Sequence, residues 1–157
     1  MQLTSSDFKT GEAIPIEFTC EGDDISPELS WRGAPPETES FVLTMRDPDA
    51  PRAGGFTHWV VYNIAADVDR IERNMPKQRV VSGLGFQGKN DAGTVGYIGP
   101  CPPSGEHHYF IRLFALDTEI KLAPGASQEQ VRAAMDKHIL DRAELVGVYE
   151  RKAVRAA

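Results

Sequence analysis

The sequence predicts a mainly β, antiparallel domain, a sandwich or Greek key with one peripheral helix. Three observations predict it. Short runs rich in Val, Ile, Phe, Tyr and Trp alternate with turn chemistry along most of the chain. One of them, HHYFIRLFALD from His107 to Asp117, becomes apolar on both faces within a few residues, as a central strand does. Only the segment after Ser127 carries a clear helix signature.

The elements follow in order. Leu3, Phe8, Ile14, Ile16 and Phe18 suggest one or two short strands broken by Gly11 and Pro15. CEGDDISPELS at 20–30 is turn chemistry. Ser30-Trp31 opens a short strand that GAPPE ends, and SFVLTMR from Ser40 to Arg46 is a strand. HWVVYNI from His58 is another. Ala65 to Gln78 is polar and irregular, and residues 82–106 form a long glycine-rich loop, ordered around Phe86, Tyr97 and Ile98. In the His107 strand, period two puts His107, Tyr109, Ile111 and Leu113 on one face and His108, Phe110, Arg112 and Phe114 on the other. Ser127 with Gln130 fits a capping box, and the helix it opens runs to about His138, with Val131, Ala134 and Met135 inward. A last strand covers Ala143 to Glu150, and the tail RKAVRAA is expected to be exposed.

A chain of 157 residues fits one domain, residues 1–157. Lys plus Arg number 17 against 23 Asp plus Glu, a net charge of -6 with no basic cluster, so nucleic acid is not an expected partner. No apolar run reaches the roughly 20 residues of a membrane span. The start, MQLTSSDFKTGEAIP, lacks the pattern of a secretory signal, so a cytoplasmic location is expected. Cys20 and Cys101 are too few for a disulfide scaffold, and a reduced pair is the default in a cytosol; whether the two meet in space is open.

The stretch DPDAPRAGGFTHWVVYNI, Asp47 to Ile64, organises the rest. Two prolines stiffen the loop, Gly54-Gly55 frees it, and His58 then stands at the mouth of a strand. Asp47, Asp49, His58, the loop Gly99-Pro100-Cys101-Pro102-Pro103, and His107 with Tyr109 are the candidate site. Residues two apart on a strand lie roughly 7 Å apart, so His107 and Tyr109 can grip one small group. Imidazole, phenol and glycine backbone N–H groups suit an oxyanion such as phosphate, sulfate or carboxylate. An aspartate fits such a site if it orients an imidazole and keeps it charged. Blander readings compete. Asp47-Pro48-Asp49 reads equally as a turn, His58 as an edge residue, His108 as solvent-facing, and His138 as a complement to a helix dipole. Cys101 with His107 as base, or a metal on Asp47, His58 and His107, would instead make a small hydrolase, although no metal-ligand spacing supports the second.

DPDAP, FTHWVVYNI and GYIGPCPPSGEHHYFIRLFALD, in that order, resemble the phosphatidylethanolamine-binding protein family, in its bacterial and archaeal branch of Raf kinase inhibitor-like proteins. FTCEGDDISPELSW and ELVGVYER fit the same branch, so the resemblance covers nearly the whole chain. It implies a large central antiparallel sheet packed on a smaller one, with short peripheral helices. It also implies a pocket for phosphate-like groups or phospholipid head groups, with Asp47 and Asp49 as acidic members. His58 opens the central strand, Gly99, Cys101, Pro102 and Pro103 form a wall, and His107 and Tyr109 close the far side. The implied function is non-enzymatic binding, without a cofactor. The implied partners are a kinase or serine protease to be inhibited, and a second copy, since some prokaryotic relatives are homodimers. The C-terminal helical segment that eukaryotic relatives carry near the pocket is expected to be missing, and Gly54-Gly55 should leave the rim more open.

Overall fold

Hydrophobic alternation and turn chemistry place strands in the computed structural model much where they are expected; it describes residues 1–152. These contain strands β1 (Gln2–Thr4), β2 (Leu29–Arg32), β3 (Ser40–Asp47), β4 (Phe56–Ala65), β5 (Arg70–Ile71), β6 (Val80–Val81), β7 (Gly85–Gln87), β8 (His107–Leu116) and β9 (Ile139–Tyr149). One α-helix, α1 (Gln128–Met135), sits between the last two. A six-stranded antiparallel sheet runs β6-β7-β4-β3-β8-β9, and a three-stranded one runs β1-β2-β5. The fold is mainly β, with a large antiparallel sheet, a smaller one and one short helix.

The central strands bury both faces. On β3 and β8, Phe41, Leu43, Met45, Tyr109, Ile111 and Leu113 join the larger core, together with Leu3, Leu29, Trp31 and Ile71 from the small sheet. Val42, Phe114 and Leu116 point the other way, into a second core that Val131 and Met135 of α1 complete. Full burial of such side chains stabilises by about 1.5–3 kcal/mol each. The face assignment made from period two on β8 therefore stands. The outer edge of β9 is covered: Gly11 N–H donates to Val146, Ile14 N–H to Val148, and Val148 N–H to Glu12.

Three local expectations need correction. Residues 14–18 form no strand; a 3-10 turn, Ile16–Phe18, follows Pro15, and it is the burial of Ile14 and Phe18 that mimics a strand pattern. The α1 capping box is present in both halves, but the helix stops at Met135, and Lys137 adopts φ +66° just beyond. His138 consequently lies outside the helix and bonds Asp117 Oδ1 at 2.8 Å instead of complementing a helix end. Of the tail, Arg151 is half-buried and Lys152 exposed, and the remainder lies outside the described residues.

This topology positions a site. β3 is antiparallel to both of its neighbours, β4 and β8, so its end at Asp47 meets their beginnings at one rim of the sheet.

Candidate functional site

A break in the β4 ladder decides where His58 points. Met45 pairs with Trp59, but the next residue, Arg46, pairs with Thr57. β4 therefore has one residue more than β3 here, and that residue is His58. Plain alternation would group His58 with Val60 and Tyr62, which lie in the core under α1. A bulge re-aims the extra side chain. His58 turns to the opposite face and meets Tyr109 edge-on, with ring centroids 5.2 Å apart and planes at 78°.

The rim holds a cavity of about 310 Å³. Asp47, His58, His107 and Tyr109 line it, and Gly99, Cys101, Pro102 and Pro103 form one wall. Ala50, Pro51, Arg52, Phe56 and Ile98 complete it and were not singled out from the sequence. The signal that could have found Arg52 and Phe56 was their position in the same loop as Asp47. The Arg52 guanidinium lies 5.7 Å from the centroid of the Phe56 ring and pairs with Asp91 at 3.8 Å.

Asp47 is bonded to an imidazole. Its Oδ2 accepts from Nδ1 of His107 at 2.6 Å, and its Oδ1 accepts the Asp49 backbone N–H at 2.8 Å. Asp49 itself is not among the lining residues. Its Oδ2 accepts both the backbone N–H and the Nδ1–H of exposed His108, each at 2.8 Å, and these bonds hold its carboxyl below the usual carboxylate range. The DPDAP loop thus splits its two carboxylates, one facing the cavity and one outside it.

His58 differs from the charged imidazole expected. Its Nδ1 donates to the Ile98 carbonyl at 2.7 Å, and the ring is 5% exposed. Burial pushes its pKa below the ordinary histidine value, outweighing the Ile98 bond and the field of Asp47. His58 is therefore neutral near neutral pH. The Tyr109 hydroxyl is buried without a hydrogen-bond partner among the described residues, and burial pushes the phenol well above its usual range. It is a donor that does not ionise.

The glycine-proline wall is pinned from behind. Gly99 N–H donates to Asp24 Oδ1 at 2.6 Å, and a Cβ at Gly99 would lie 2.2 Å from the Phe18 carbonyl oxygen. Cys101 is bonded to Cys20, which corrects the expectation of a reduced pair. The geometry behind the bond is simple: the Cys20 backbone N–H already donates to Pro100 at 3.1 Å, so the two residues are neighbours. Bonded in this way, Cys101 offers no thiol to act as a nucleophile. On the opposite rim, Gly55 (φ +75°) is required, since a Cβ there would lie 2.6 Å from the Asp47 carbonyl, while Gly54 faces open space. Among the described residues no group of three or more His, Cys, Asp or Glu side chains gathers in metal-binding geometry. Among the described residues no helix is long and apolar enough to cross a membrane.

Comparison with known proteins agrees with this architecture. The family model for phosphatidylethanolamine-binding protein matches residues 4–150. A UPF0098 protein of Methanothermobacter thermautotrophicus is 49% identical over 151 residues, covering 96% of this chain and 99% of that one. A UPF0098 protein of Aquifex aeolicus is 49% identical over 154 residues, with 96% and 89% covered. Among solved structures, a phosphatidylethanolamine-binding protein homologue from Chlamydia trachomatis superposes with a TM-score of 0.88 at 39% identity, covering 96% and 97% of the two chains. YbcL of E. coli, described as a member of the mammalian family, gives 0.86 at 36%, covering 96% and 98%. With the motifs, the two sheets and these matches in agreement, the chain belongs to the phosphatidylethanolamine-binding protein family, among its prokaryotic, YbcL-like members.

Proposed function

We propose that this protein is a non-catalytic binding module whose cavity takes a phosphate-type group, carried by a small phosphorylated ligand or a lipid head group. One observation carries the reading. Tyr109 lines the cavity, and its buried hydroxyl has no partner among the described residues. Buried polar groups are nearly always paired, so a donor held in this way points to a ligand acceptor. His58 and His107 stand beside it, each with Nδ1 committed to a fixed partner and Nε2 remaining. Asp47, Gly99, Cys101, Pro102 and Pro103 shape the space, and Asp49 supports the loop from outside.

The test replaces both His58 and His107 by alanine and follows phosphate binding by NMR. Affinity should vanish while circular dichroism stays unchanged; wild-type affinity in the double variant overturns the reading. Regulation of a kinase or a serine protease is the physiological output we attach to this site, and it rests on family membership alone. Inhibition assays with and without saturating phosphate would show whether the same cavity serves both.

A further inference from the structure

We propose that Arg52 is the residue that neutralises the ligand's phosphate: its guanidinium gives up Asp91 and closes over the mouth of the cavity onto two phosphate oxygens. This rests on the anion-binding reading above and adds to it the charge that the site otherwise lacks.

The need for a cation follows from the lining. Asp47 brings a carboxylate to the cavity, burial keeps His58 neutral, and Tyr109 contributes a hydroxyl that does not ionise. The His107 ring is already paired with Asp47 at 2.6 Å. An anion entering this space would lose hydration and meet a negative charge, with nothing of opposite sign in return. Among the described residues that line the cavity, Arg52 is the only Lys or Arg. A guanidinium is charged at every working pH, and its planar fork fits two bare oxygens of one phosphate.

Arg52 is also placed to move. Its backbone is held in a turn: the N–H donates to the Ala50 carbonyl at 2.7 Å, and the Arg52 carbonyl accepts the Gly55 N–H at 3.1 Å. The side chain is half exposed, and its guanidinium lies over Phe56, whose ring packs 4.7 Å from that of His58. Arg52 borders a second cavity, of about 120 Å³, which Arg46, Arg132 and Asp91 also line. There it holds Asp91 at 3.8 Å, a long contact between partly exposed groups, and pairs of that kind contribute little. Asp91 does not depend on it: its Oδ2 accepts the Thr57 N–H at 2.8 Å, and its charge also favours the Arg46 guanidinium. Arg46 and Arg132 put like charge on that side. A phosphate with two bare oxygens, whether free, in a monoester or in the diester of a lipid head group, offers Arg52 a better partner than Asp91 does.

The experiment titrates the full chain by calorimetry with inorganic phosphate and with dimethyl phosphate, the second standing for the lipid diester; the probe that binds tighter identifies the source of the phosphate group. Arg52→Gln should weaken that probe at least about tenfold and flatten its dependence on sodium chloride, with the melting temperature unchanged. Arg52→Lys keeps the charge without the fork and should recover part of the loss. Asp91→Asn keeps an acceptor for the Thr57 N–H and releases Arg52, so affinity should rise about twofold or more in the wild-type background and not in Arg52→Gln. Wild-type affinity in Arg52→Gln overturns the inference and leaves the anion site standing. An equal gain from Asp91→Asn in both backgrounds, or none in either, overturns the exchange of partners. Absence of binding by both probes to the wild-type protein removes the anion site itself, and this inference with it.

Discussion

The Asp47 carboxylate and the His107 ring meet at 2.6 Å, although one ends β3 and the other begins β8, and both side chains are nearly buried, at 4% and 9% exposure. The same carboxylate holds the Asp49 backbone N–H. Asp47 therefore fixes an imidazole and a loop together. Replacing Asp47 by Ala leaves two donors without an acceptor and should destabilise the fold by about 1–3 kcal/mol, with Asn costing less because it keeps one acceptor oxygen. Urea unfolding at neutral pH measures this, and an unchanged midpoint in Asp47→Ala would show that neither bond contributes.

Tyr109→Phe separates binding from stability. The hydroxyl is buried and has no partner among the described residues, so its removal should leave the free protein as stable as before, or up to about 1 kcal/mol more stable. Phosphate affinity should nevertheless fall by about tenfold. Melting curves and a binding isotherm on one preparation check both. A loss of stability with affinity intact contradicts the assigned role.

The Cys20–Cys101 bond closes a loop of 81 residues in sequence separation. Chain-entropy arguments put its contribution at up to about 4.5 kcal/mol. Reduction by a dithiol should lower the melting temperature and also weaken phosphate binding, because Cys101 belongs to the cavity wall. A Cys20→Ser, Cys101→Ser variant should reproduce both effects without reductant.

His58 gives the fold a pH dependence with a definite sign. Its folded pKa lies below the ordinary value of 6.5, so between those two values the unfolded chain binds a proton that the native ring refuses. Stability is then complete above about pH 6.5 and falls as pH drops through that window. His58→Gln should flatten this part of the profile. Midpoints in urea, measured at steps from neutral to mildly acidic pH for both proteins, decide it; parallel profiles would place the titration elsewhere.

Much of the fold was legible because strand composition and period two are local signals. His107 and Tyr109 share a face as spacing requires, and the Ser127 capping box forms as its residues demand. What stayed hidden depends on partners distant in sequence. Asp47 and Asp49 look equivalent in DPDAP, yet one reaches His107 and the other His108, and which does which is set by neighbouring positions on β8 that face opposite ways. The Cys20–Cys101 bond needs two loops brought together by the hydrogen bond from Cys20 to Pro100, which no spacing announces. The charge of His58 depends on a burial that only the assembled core supplies.

The extra residue in β4 has a consequence for how this family member can change. Excising His58 would remove the register shift between Met45 and Arg46 and leave only the one between Phe41 and Leu43. A better-formed strand and a working cavity are therefore competing solutions for the same stretch of chain. On the anion-binding reading, the bulge is what turns His58 into the cavity, at a cost in ladder regularity.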